Sequence, residues 1–237
     1  RVVHVDLRGL DEQAAKAALE ERATEAHAGL DIEHGPLFRA IHFRYGGGPS
    51  RLLLVIHHLV VDGVSWRILR EDLEELIEAR RHGRAARLPG QTAEMWQWIQ
   101  ALQRYARSVD ALSALPSWVA LIGQPIHLLP RPATSPAASN QADPAHLLRL
   151  GVEPTRRLLQ QVGAHFGASI NAILLSALLR TLVSRSHELA WRIDMEGHGR
   201  EPIDDQVDVS RTVGWFTSLF PVQLSLGKAG LRADAAQ

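Results

Sequence analysis

Cysteine is absent from the 237 residues. That removes disulfide scaffolds, thiolate metal sites and cysteine nucleophiles together. It is compatible with a reducing compartment, and the expected location is cytoplasmic. Excess charge of either sign is also missing: 26 Lys and Arg stand against 26 Asp and Glu. A balanced chain gives no electrostatic reason to expect nucleic acid or an anionic membrane as partner. No apolar run approaches the roughly 18 residues that a membrane span requires. Lysine is scarce, standing only at Lys16 and Lys228, a skew towards arginine that fits a G- and C-rich coding sequence. No signal peptide opens the chain; RVVHVDL reads as a strand. It begins without Met and inside a structured element, so it reads as a piece of a longer protein.

What is present is ordinary globular material, 46% hydrophobic and 22% charged, enough for one large core or two modest ones. Residues 1–7 alternate as a strand, and 11–27 read as a helix capped by Asp11. Residues 37–58 read as a β-hairpin about the turn Gly46-Gly47-Gly48-Pro49-Ser50. Trp66, Leu69, Leu73, Leu76 and Ile77 mark the apolar face of a helix over 65–82. A second helix is expected over 92–113, then a long irregular connection over 114–144, where Pro and Ser concentrate. LLRLGV (147–152) reads as a strand. Glu153-Pro154 opens a helix to about 165, and Ser169 caps another. Residues 189–195 alternate as a strand. Mixed helices and hairpins give an α/β (α+β) class.

Three segments hold the candidate chemistry. HHLVVDGVSW (57–66) closes a strand, turns at Asp62-Gly63 and opens a helix. Adjacent residues of a strand point to opposite faces, so His57 and His58 cannot do the same job: one packs and the other can line a cleft. Asp62 and Ser65 are placed to bond an imidazole or to cap the helix. Opposed histidines cannot close on one ion, so no metal site is expected here. EGHGRE (196–201) packs Glu196, His198, Arg200 and Glu201 around two glycines; it is either a solvated charged turn or a site. SRTVGWFTSLFPV (210–222) reads either as an amphipathic strand or as a loop lining a channel.

Together these segments resemble a known family. HHLVVDGVSW is similar to the HHxxxDG signature of the condensation-domain superfamily of nonribosomal peptide synthetases. EGHGRE, SRTVGWFTSLFPV and the VSW after Asp62-Gly63 are similar to its epimerization branch. The resemblance runs from residue 1 to about 226, over the middle of such a domain, with parts at both ends missing. It implies a chloramphenicol-acetyltransferase-like two-lobed sandwich that is incomplete: an N-terminal lobe over 1–130, a connection over 131–146, and the start of a C-terminal lobe over 147–237.

The resemblance also implies a reaction. An aminoacyl or peptidyl thioester on the phosphopantetheine arm of a carrier protein would be epimerized at Cα, from L to D. No cofactor is expected to be bound by the domain itself, and neighbouring synthetase domains are expected partners. A thioester Cα–H is a weak acid, so a base must touch it and the enolate must be stabilised. By resemblance His58 and Glu196 are the two acid/base groups. Glu196 would need burial or a bound anion to serve as an acid. His57 is assigned to packing. Asp62, Gly63 and Ser65 hold the loop. His198, Arg200 and Glu201 are supporting, with Arg200 paired to Asp62 or to Glu201. Arg211, Trp215, Thr217 and Ser218 are expected along a substrate tunnel. A condensation domain, forming peptide bonds, is the nearest rival. A non-catalytic module that docks the carrier is the second.

Overall fold

The computed structural model describes residues 2–124, 147–227 and the backbone of 230–234. The chain divides into two compact units, Arg1–Tyr105 with His198–Ser218, and Ala106–Gly197 with Leu219–Gln237. The connection expected over 131–146 lies outside the described residues.

The first unit is built on a three-stranded sheet. β1 (Val2–Asp6) runs parallel to β2 (Phe38–Arg44), and β2 pairs antiparallel with β3 (Arg51–Ile56). The hairpin is the one its alternation and glycine-rich turn predict. A parallel pair needs a crossover, and α1 (Glu12–Ala28) supplies it. Asp11 caps α1, its carboxylate accepting from the Ala14 N–H at 2.8 Å. Leu7, Ala15, Ala26, Ile41, Phe43 and Val55 form the core between α1 and one sheet face. Arg39 breaks the apolar alternation of β2 for a visible reason: it donates twice to the Gly29 carbonyl, at 2.6 and 3.1 Å, beyond the end of α1.

α2 (Gly63–Arg81) starts two residues before the helix expected at 65, because Asp62 is its N-cap. Its expected apolar face is only partly covered. Ser65, Ile68 and Ala79 are buried, whereas Trp66, Leu76 and Ile77 remain exposed. The helix expected over 92–113 is two helices, α3 (Met95–Tyr105) and α4 (Val109–Ile122). Ser108 caps the second, accepting from the Ala111 N–H at 3.2 Å, and so restarts the backbone.

α4 also corrects the start of the connection read as irregular over 114–144: residues 114–122 are helical, and 125–144 lie outside the described residues. Pro116 sits inside the helix, where it forgoes one backbone bond. The C-terminal carbonyls recover a partner: Arg192 donates to Leu121 O at 2.9 Å and to Ile122 O at 3.2 Å. These residues belong to the second unit. There, residues 147–151 form no strand. Leu147 and Leu148 are exposed, and the chain enters α5 (Val152–Arg157) at Val152. The helix expected to 165 passes through a π-helical turn, Leu158–Val162, into the short α6 (Gly163–Phe166). α7 (Ile170–Ser186) is capped by Ser169 as expected. It packs on a sheet ordered β4 (Ala190–Gly197), β5 (Ser218–Gly227), β6 (Gly230–Asp234). Leu179, Trp191, Val222 and Leu224 are the core of this unit. Among the described residues, no single helix is long and apolar enough to cross a membrane.

Candidate active site

The strand β3 stops at Ile56, one residue short of the histidine pair. His57 and His58 therefore do not alternate as strand neighbours. His57 caps a single 3₁₀ turn, His58–Val60. Its Nδ1 accepts from the Leu59 N–H at 3.2 Å, which occupies that nitrogen, and the residue is half-buried. His58, the first residue of the turn, is exposed. The two histidines do have different surroundings, but the cause is the turn and not the pleat. The His58 imidazole meets the Trp215 indole edge-on, with centroids 6.0 Å apart and planes at 77°.

Close by lies a buried polar frame. The Asp62 side chain is 3% exposed and that of Arg200 6%. Arg200 Nη2 donates to both Asp62 carboxylate oxygens, each at 3.2 Å, and to Ser65 Oγ at 3.1 Å. Its Nη1 donates to the carbonyls of Val209 and Thr212, at 2.7 and 2.8 Å. The guanidinium carbon stands 3.9 Å from the centre of the Phe216 ring, a cation–π distance. The sequence left Arg200 open between Asp62 and Glu201; the structure pairs it with Asp62.

Asp62 is doubly used. Its carboxylate accepts the Ser65 N–H at 2.7 Å, capping α2, and the Phe216 N–H at 3.2 Å. Burial alone would push this carboxyl up. The hydrogen bonds from Ser65 and Phe216, with the Arg200 charge, outweigh burial and hold it below the ordinary carboxylate value. Ser65 is fully buried. Its hydroxyl donates to Gly214 O at 2.9 Å and accepts the Gly214 N–H at 3.0 Å. Gly63 opens the helix as its first residue.

The frame fixes the loop over 198–217. Gly199 has φ 66°, and a Cβ there would overlap the Phe216 carbonyl, so glycine is required twice over. His198 is exposed, its Nδ1 accepting the Arg200 N–H at 3.0 Å. Glu201 is exposed, 3.8 Å from that imidazole. Arg211 pairs with Glu71 at 3.1 Å and with Asp72, both on α2. Trp98, Ala101, Val209 and Phe216 close a small core around the loop. Trp215 remains 46% exposed between the buried Gly214 and Phe216. Thr217 and Ser218 are half-buried where the loop runs into β5. Glu196 belongs to the second unit, on β4, and is exposed.

Sequence reasoning missed Gly214 and Phe216 as site-builders, whereas the unusual φ or close backbone approach it expects at Gly197 and Gly199 is found, both together, at Gly199. The signal for Gly214 was available in the glycine of RTVGWF, since glycine in a loop marks unusual φ or close backbone approach. The acidic partners of Arg211, Glu71 and Asp72, carry no such signal, being ordinary residues on a helix surface.

This geometry can be set beside known proteins. Residues 2–233 match the family described as Condensation domain. A linear gramicidin synthase of Brevibacillus parabrevis is 43% identical over 223 residues, covering 92% of this chain and 4% of that protein. Tyrocidine synthase 1 of the same organism is 38% identical over 218 residues, covering 92% of this chain and 20% of that protein. Among solved structures, the epimerization domain from the third module of tyrocidine synthetase B is similar with a TM-score of 0.76 and 33% identity. That match covers 97% of this chain and 51% of that one. The first condensation domain of the calcium-dependent antibiotic synthetase shares the fold at a TM-score of 0.63 and 23% identity, covering 95% of this chain and 48% of that one. The chain thus spans about half of the solved domain and a small part of the synthases it matches.

Proposed function

Because this chain belongs to the condensation domain family of nonribosomal peptide synthetases, we propose that its site inverts the Cα of an aminoacyl or peptidyl thioester carried on phosphopantetheine. The observation that carries the reading is the frame Asp62–Arg200–Ser65. It binds the HHLVVDG loop to the loop after EGHGR, and so unites in one site the general family motif with segments similar to the epimerization branch. The greater likeness to an epimerization domain than to a condensation domain, by both identity and TM-score, supports the same branch.

In this reading His58 takes the Cα proton, its imidazole being exposed to a ligand and backed by Trp215. Glu196 is assigned as the second acid/base on the resemblance of EGHGRE to the epimerization branch alone. The carrier protein and neighbouring synthetase domains are the partners, and the domain itself holds no cofactor.

The test uses the synthetase that contains this segment, its carrier loaded with an L-peptidyl thioester, in heavy water. Deuterium at Cα and the D to L ratio are followed by mass spectrometry and chiral chromatography. His58→Ala and Glu196→Gln should each lose at least about 10²-fold of the exchange rate, the lower end of positioned acid–base catalysis. Near-normal exchange in either variant removes that residue from its role. Absence of exchange, with amide formation once a second loaded carrier is added, assigns the domain to peptide-bond formation instead. Carrier binding with neither reaction assigns it to docking.

A further inference from the structure

We propose that Ser65 is a positioning residue, whose hydroxyl pins Gly214 and thereby stands the Trp215 indole against the His58 imidazole. The inference rests on the role given to His58 above. Serine in a family motif next to a histidine invites a nucleophile reading, and the geometry removes it. Ser65 Oγ donates its one proton to Gly214 O and accepts from Gly214 N–H and from Arg200 Nη2. A hydroxyl offers one donor and two acceptor sites, so its capacity is filled. It is also wholly buried, out of reach of any thioester.

What it does is determined by the neighbours of the residue it holds. Trp215 is 46% exposed, so burial does not fix its ring. The backbone on either side does. Gly214 is held at both its N–H and its C=O by Ser65. Phe216 is held at its N–H by Asp62. Both anchors lie at the start of α2, four and seven residues beyond His58. One short stretch of chain therefore carries the imidazole and sets the indole against it. Asp62 shares its carboxylate with the helix cap and Arg200, whereas two of the three Ser65 hydroxyl bonds go to Gly214. Ser65 is thus the specific link. The indole packs one side of the imidazole and restricts its rotation, which orients the ring nitrogen for a Cα on its open side.

The experiment is a double-mutant cycle in the intact synthetase, with Ser65→Ala, Trp215→Ala and their combination, read by Cα deuterium exchange. Each single variant should lower the rate constant at saturating substrate by about 10- to 100-fold, the loss expected for a misplacement near 1 Å. The double variant should be no slower than about twofold below the worse single one, since both remove the same constraint. Multiplying losses, or a Ser65→Ala enzyme at the native rate, overturn the proposal. A second readout is independent of turnover: labelling of His58 by diethyl pyrocarbonate, followed by peptide mass spectrometry, with exposed His34 as control. Labelling of His58 should rise at least about twofold in Ser65→Ala and Trp215→Ala alike as the indole leaves; an unchanged rate in Ser65→Ala is contrary. If the native enzyme shows no exchange, the epimerase reading fails, and the labelling still decides whether Ser65 acts through Trp215. Should Ser65→Ala not fold, Ser65→Cys, which is somewhat larger and only a weak donor and acceptor, takes its place in both measurements.

Discussion

Replacing Arg200 by Met tests the buried frame most directly. The side chain keeps its apolar length and loses its charge and all five donated bonds. Three kinds of partner are stranded at once. Asp62 keeps the N–H groups of Ser65 and Phe216 but loses its counter-charge. The carbonyls of Val209 and Thr212 lose their donor. Ser65 Oγ loses one of the two N–H groups it accepts. At 3.2 Å and an effective dielectric of about 20, the pair attraction alone is about 5 kcal/mol. Breaking a buried pair by removing one partner typically costs about 3–5 kcal/mol. We therefore expect Arg200→Met to destabilise the first unit by about 3–5 kcal/mol. Urea unfolding followed by tryptophan fluorescence measures this, since Trp98 is buried beside the loop that Arg200 holds. The cost should persist in high salt, because a desolvated pair is poorly screened. It should also shrink by at least about 2 kcal/mol when measured in an Asp62→Asn background. A loss under about 1 kcal/mol, or full additivity of the two substitutions, would refute the account of the frame as a coupled unit.

Further outcomes follow from the same geometry. Asp62 is held below its ordinary value of 3.8. Its contribution is therefore complete above about pH 5 and is lost as pH falls through the folded value. Denaturation midpoints measured on the acid side should fall steeply in the native protein and less so in Asp62→Asn. Gly199→Ala combines a left-handed backbone with overlap on the Phe216 carbonyl; it should cost at least about 3 kcal/mol by urea unfolding. Asp11→Ala removes one cap bond from α1 and should cost about 1 kcal/mol in the same assay, a value that Asp11→Asn largely restores.

The legible parts of this fold are those fixed by neighbours in sequence. The hairpin about Gly46–Ser50 and the caps Asp11 and Ser169 depend on a few adjacent residues, and local rules find them. The C-terminal end of α4, beyond Pro116, escapes those rules because its partner is remote: the last carbonyls are satisfied by Arg192, some 70 residues away. Pleat geometry predicts a split between His57 and His58, yet a capped 3₁₀ turn produces it. The candidate site shows the same division. The motifs announce that Asp62, Arg200 and Ser65 matter. Only folding shows that Arg200 takes Asp62 over Glu201, or that Ser65 reaches Gly214. Those choices follow from long-range packing of Phe216, Val209 and Trp98.

The frame also has a temporal side. Asp62 and Arg200 are 138 residues apart. At about 5–20 residues per second, a ribosome delivers Arg200 roughly 7–28 s after Asp62. During that interval the sheet and α1 can already form, since their strands and shared core lie within the first 56 residues. The histidine turn, however, waits without Gly214, Phe216 or any counter-charge for Asp62. The nascent chain thus acquires its scaffold well before the frame around its histidine turn. A stalled or truncated product ending before residue 200 would carry the family motif in full and still lack the loop that organises it.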